Sequence, residues 1–210
     1  MPQTDQGLKS PRCSALPRLE LRAQGPLNRQ LSRKIRAIEL PELTGGSIHV
    51  STGRSLMAHR GHLVRDSSRG SAVYAAAFLR DRKIILEAGL LSNSQTFRLI
   101  LVHELFHFVW LRLGNRARGE FDRVLRREWK SGARGELGES AGVQKAKLRQ
   151  TSAGVSSRHW RDYVCESFCD TAAWLYAEVE DGSSFTLAKG WRERRNSWFQ
   201  SVANNGPWRC

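Results

Sequence analysis

From Leu99 to Leu111 the chain reads Leu-Ile-Leu-Val-His-Glu-Leu-Phe-His-Phe-Val-Trp-Leu, apolar everywhere except at His103, Glu104 and His107. The run falls short of the ~18 uncharged apolar residues a membrane span needs, and its interior polar groups argue for a protein core rather than lipid. Phe97 and Leu113 extend it at either end, and Gly114-Asn115 follows as a helix C-terminus would. At its start, Ser92 stands three residues before Gln95, the spacing of a capping box. A fold built around this helix must bury two imidazoles and a carboxylate, which is costly unless something satisfies them. A metal ion would do so.

Residues i and i+4 of a helix project from one face, so His103 and His107 are spaced to hold one ion. Glu104 points in an adjacent direction, within reach of a water on that ion without being a ligand. Zinc lowers the pKa of such a water toward ~7, and a carboxylate beside it takes the proton as the water attacks a carbonyl. This is the chemistry of His-Glu-x-x-His on a helix. Catalytic zinc also needs a third protein ligand and an open position. A second helix is expected over His159 to Glu178, after Ser156-Ser157, and it offers Glu166 and His159. Glu166 is the better candidate. Asp170 follows it by one helical turn, where it can accept the second ring N–H of a ligating histidine. Tyr163, Phe168, Ala172, Ala173 and Trp174 mark that face as buried, where an acidic residue needs a reason. A further electrophile for the transition-state oxyanion is expected. Arg158, His159 and Tyr163 are candidates, and the sequence does not choose among them. Cys165 and Cys169 are one turn apart; without a second Cys or His cluster they read as buried small apolar residues.

His103-Glu104-Leu105-Phe106-His107 followed by Glu166-Ser167-Phe168-Cys169-Asp170 resembles the gluzincin metallopeptidases. A strand hairpin just before the first helix is similar to the ImmA/IrrE-like group of small intracellular peptidases. The resemblance covers about residues 72–114 and 159–178. It implies an α+β fold with a minimal zincin-like core: a small mixed sheet, an active-site helix and a second, ligand-bearing helix. It implies zinc held by His103, His107 and Glu166, with Glu104 as general base and Asp170 behind a ligand. A peptide or protein substrate would lie antiparallel along an edge strand, here Ala72 to Leu79.

Around this core the chain organises as one domain over residues 27–210, preceded by a flexible basic tail over 1–26 punctuated by Pro2, Pro11, Pro17 and Pro26. Leu27, Leu31, Ile35 and Ile38 recur at helical spacing among basic residues, predicting a short amphipathic helix packed on the domain. Ser47 to Thr52 reads as a strand, and Ser55 to Gly70, with His59 and His62, as a loop. Ala72–Leu79 and Lys83–Ala88 read as a hairpin turned at Arg80-Asp81-Arg82. Residues 115–150 read as a basic, partly mobile insertion with one helical piece near Phe121 to Trp129, and Lys189 to Val202 as a last amphipathic helix.

The net charge of +14 draws the chain toward acidic partners without naming one. A nucleic-acid contact through a basic surface, or a protein-binding module on an inactive zincin-like fold, is therefore the alternative function. The basic residues are spread too widely for one groove-reading element, and no zinc-finger, homeodomain or RNA-recognition signature occurs. Met1 to Gln30 holds no apolar signal segment, and cysteines at 13, 165, 169 and 210 fit no disulfide spacing, so a reducing cytoplasm is the expected location.

Overall fold

The computed structural model describes residues 18–59, 62–65, 71–150, 157–179 and 185–210; the tail before residue 18 lies outside them. The first part of the described chain is mostly strand: β1 (Leu21–Gln24), α1 (Asn28–Arg36), β2 (Leu43–Thr44), β3 (Ile48–Gly53), β4 (Leu56–His59), β5 (His62–Arg65), β6 (Ser71–Ala72), β7 (Ala75–Phe78) and β8 (Lys83–Glu87). The remainder is helical: α2 (Ser94–Arg112), α3 (Asn115–Lys130), α4 (Glu139–Gln150), α5 (Arg158–Tyr176) and α6 (Lys189–Ala203), closed by β9 (Trp208–Arg209). The fold is mixed α+β.

The main sheet runs β1-β3-β8-β7, with the first three strands parallel and β7 turned back antiparallel on β8. Alternation fixes its inner face: Ile48 and Val50 on β3 and Ile84 and Leu86 on β8 are fully buried. The tail is thus shorter than its expected boundary at residue 26, because Leu21 to Gln24 pair with Ile48 to Ser51. The β7–β8 hairpin turns through Arg82 in the left-handed region (φ 50°), shorter than its expected span because Ser71–Ala72 pairs with β4 instead. Residues 55–70, expected as loop, supply β4 and β5, joined antiparallel from Leu56↔Arg65 to His59↔His62. The short strands β2 and β9 pair in parallel, which brings Trp208 into the core.

The apolar helix α2 lies between the sheet and the other helices, and its buried residues run from Phe97 through Leu101, Val102, Leu105 and Phe106 to Val109. Its start differs from expectation. Ala88–Ser92 forms a 3-10 turn, and Asn93 is the cap, its side chain accepting from the Thr96 amide at 3.1 Å. Gly114 is not a left-handed terminus either; at φ −64° it begins α3 directly. Against α2 pack Phe168 of α5, Phe199 of α6 and Trp208 of β9, with ring centroids 5.8–6.4 Å from Phe106. That aromatic wall fixes α2 relative to α5. α1 packs through Leu31 and Ile35; Arg29, Arg33 and Arg36 are exposed, while Lys34 donates to Ser94 Oγ at 2.8 Å.

Residues 115–150 are not a loosely held insertion. They form α3 and α4, and Phe121, Leu125, Ala141 and Leu148 are buried in the same core as α2. No described helix is long and apolar enough to cross a membrane.

Candidate metal centre

His103 and His107 are carried by the middle of α2, and Glu166 and Asp170 by the middle of α5. The i, i+4 spacing in each helix gives two pairs on two faces, and helix packing brings the faces together. His103 Nε2 lies 3.2 Å from Glu166 Oε2 and 3.2 Å from His107 Nε2, and His107 Nε2 lies 3.9 Å from the same carboxylate oxygen. Two imidazole nitrogens this close need a proton or a cation between them, since two lone pairs repel. The His103 ring faces this point because its other nitrogen is engaged: Nδ1 is 2.7 Å from Asp170 Oδ1. Glu104, half-buried on the neighbouring face of α2, adds to the negative field on His103.

Asp170 is itself held. Its second oxygen accepts the Ala141 amide at 2.8 Å, at the start of α4. Gly138 lies against this carboxylate so closely that a Cβ would overlap it. Gly135, at φ 78°, brings the same segment against the Thr186 carbonyl, again where no side chain fits. The connection from α3 to α4 is anchored from beneath by buried charges. Glu136 meets Lys145 at 2.8 Å, Arg195 at 2.9 Å and the Tyr163 hydroxyl, which donates to it at 2.6 Å. Arg195, with no exposed surface, also holds Glu128 at 2.6 Å. Two carboxylates and two cations balance, so the cluster is tolerable inside a core.

Electrostatics follow from this geometry. Burial alone would push the His103 imidazole down; the Asp170 and Glu166 carboxylates outweigh it and hold the ring well above the ordinary histidine pKa. Burial raises Glu166, but the two imidazoles overcome that and lower it.

Cys169 lies in the core, as expected, and Cys165 packs partly buried against it, but both thiols also meet a polar partner. Cys165 and Cys169 face the far side of the His107 ring, with Sγ 3.6 and 3.4 Å from Nδ1. Cys169 is buried and Cys165 half-buried. A hydrogen bond with Cys169 and, against burial, the His107 ring bring the Cys165 thiol down to about 6. The donor sets His103/His107/Cys169 and His107/Cys165/Glu166 each lie within 4.8 Å as well. No protein-family model matches the chain, and no curated protein or solved structure matches it significantly.

The other expected residues lie elsewhere. Tyr163 is buried, with its hydroxyl committed to Glu136, which removes it as a stabiliser of a substrate oxyanion. His159 is exposed in the first turn of α5, beside exposed Arg158. The Ala141 amide and Gly138 were not foreseen; the closely spaced Gly135 and Gly138 before α4 were the only trace of them in the sequence.

A zinc ion fits the set His103, His107 and Glu166. With bonds of roughly 2.0–2.1 Å, neighbouring donors of a tetrahedral ion stand about 3.3–3.4 Å apart. The separations of 3.2, 3.2 and 3.9 Å are close to that. The Asp170 contact supplies the carboxylate that metal-bound histidines ordinarily carry on the second nitrogen.

Proposed function

We propose that the chain is a zinc-dependent metallopeptidase of the gluzincin type, with a zincin-like core made by the sheet, α2 and α5. One observation carries the reading: the convergence of His103 Nε2, His107 Nε2 and Glu166 Oε2 at near-tetrahedral spacing. Zinc, when bound, supplies a Lewis acid that acidifies a water and polarises a carbonyl. His103, His107 and Glu166 hold it. Asp170 keeps the proton of His103 on Nδ1 and so presents Nε2 to the ion. Glu104 accepts the proton of the attacking water and returns it to the leaving amine, the role of a carboxylate one residue beyond the first ligand. β7 is the outer strand of its sheet and contacts α2, so a peptide extended antiparallel along it would pass beside the site.

The test is metal content together with proteolysis. Wild type is expected to retain about one zinc per chain, and His103→Ala and Glu166→Ala to lose it. Glu104→Gln is expected to keep zinc and lose cleavage of an unstructured protein substrate by about 10²-fold or more. Undiminished cleavage by Glu104→Gln, or no zinc in wild type after reconstitution, would sink the proposal.

A further inference from the structure

The zinc reading leaves two nucleophilic side chains unused. Cys165 and Cys169 stand one turn apart on α5 and both address the same atom, His107 Nδ1, at 3.6 and 3.4 Å. A ring N–H in need of an acceptor is served by one sulfur. The second, at nearly the same distance, adds nothing to a hydrogen bond but completes a ligand set. For metal–sulfur bonds of about 2.3 Å and metal–nitrogen bonds of about 2.0–2.1 Å, tetrahedral geometry separates N from S by about 3.6 Å. Both separations match. Cys165 is half-buried and the His107 side chain is 18% exposed, so an ion has a way in from solvent.

We infer that His107 Nδ1, Cys165 Sγ and Cys169 Sγ form a second metal site, for a thiophilic d10 cation such as monovalent copper, and that this site competes with the zinc site for His107. Soft thiolates with one imidazole suit that class of ion. On binding, each thiol releases its proton to solvent. A neutral imidazole has one lone pair. If Nδ1 gives it to the thiol-side ion, the ring proton moves to Nε2, and Nε2 then donates where the zinc site needs a ligand. His103 and Glu166 alone are left for zinc, one protein ligand short of what a catalytic site keeps. The competition rests on the zinc reading; the thiol site does not.

The experiment titrates zinc-loaded full-length protein anaerobically with the acetonitrile complex of monovalent copper, against a chromophoric copper chelator, while released zinc is measured. Wild type is expected to hold about one copper with a thiolate-to-copper charge-transfer band, releasing about one zinc. Cys165→Ser/Cys169→Ser is expected to take up none tightly and to keep its zinc. Cys165→Ser alone changes only the half-buried thiol, and it should bind copper at least about tenfold more weakly, which guards against misfolding of the double variant. Equal copper uptake by wild type and the double variant, or none by either, overturns the site. Copper bound with zinc retained overturns the competition. If wild type holds no zinc at all, the zinc reading fails, and copper uptake still decides the thiol site.

Discussion

Asp170 links His103 to Ala141: one carboxylate oxygen meets the imidazole of α2 at 2.7 Å and the other accepts a backbone amide of α4 at 2.8 Å. Both lone-pair faces of the group are in use, so its position is set from two sides. Replacing it with Ala should lower zinc affinity about 10- to 100-fold. Competition with a fluorescent zinc chelator measures this; unchanged affinity would mean the contact does not tune the ligand.

Gly138→Ala should disturb the same residue from the opposite direction. The added methyl would overlap the Asp170 carboxylate, and the backbone neighbours of residue 138 are held by the buried charges beneath them. The expected result is a loss of about 1–3 kcal/mol in stability together with weaker zinc binding. Denaturant melts and the chelator assay separate the two effects. A variant as stable and as zinc-avid as wild type would show that the α3–α4 connection yields.

Protein stripped of metal should respond to pH in the opposite sense to zinc-loaded protein. The folded pKa of His103 is raised above its ordinary 6.5, so its stabilisation is complete below 6.5 and is lost as pH climbs through the raised value. Glu166 is lowered from 4.5, so its share is present above 4.5 and is lost as pH falls through its folded value. The stripped protein should therefore gain most from these groups between 4.5 and 6.5. Zinc needs deprotonated nitrogens, so the excess stability of the loaded form should grow as pH rises. Thermal melts of both forms from pH 4.5 upward through and beyond 6.5 check the opposed trends, the stripped form losing stability above 6.5 while the excess of the loaded form grows; parallel curves would contradict them.

Arg195→Met should leave Glu128 and Glu136 facing each other in the core with only Lys145 for compensation. Removing one partner of a buried ion pair costs about 3–5 kcal/mol. Urea titration would measure it. A loss below about 1 kcal/mol would show that water or protonation relieves the cluster.

The parts of this fold that were legible in the sequence are those with a local period. α2, α5 and α6, the β3 strand and the β7–β8 hairpin each follow from spacing alone, and so does the placing of His103 with His107 and of Glu166 with Asp170 on common faces. That the two faces meet is a property of the packing, carried by Phe106, Phe168, Phe199 and Trp208 from four separate elements. What stayed hidden was non-local. Residues 115–150 look basic because the outer sides of α3 and α4 are exposed; Phe121 and Leu125, one turn apart, mark the helical piece near 121–129, whereas α4 buries only Ala141, Lys145 and Leu148, a face with too little apolar bulk to announce burial. Cys165 and Cys169 gave no sign of a partner because theirs is His107, far back in the chain. Tyr163 was expected near substrate on chemistry alone, and its hydroxyl answers to Glu136.

The amide of Ala141 belongs to no side chain, so substitution at that position leaves it unchanged and a residue-by-residue scan passes over it. It is exposed to a different kind of change. Adding or deleting one residue between Gly135 and Ala141 would turn the first amides of α4 by about 100° and point another N–H, or none, at Asp170. The proposed metal centre therefore depends on the length of a connection as strictly as on the identity of its candidate ligands, and a length variant with every one of those residues intact would still lose its orientation.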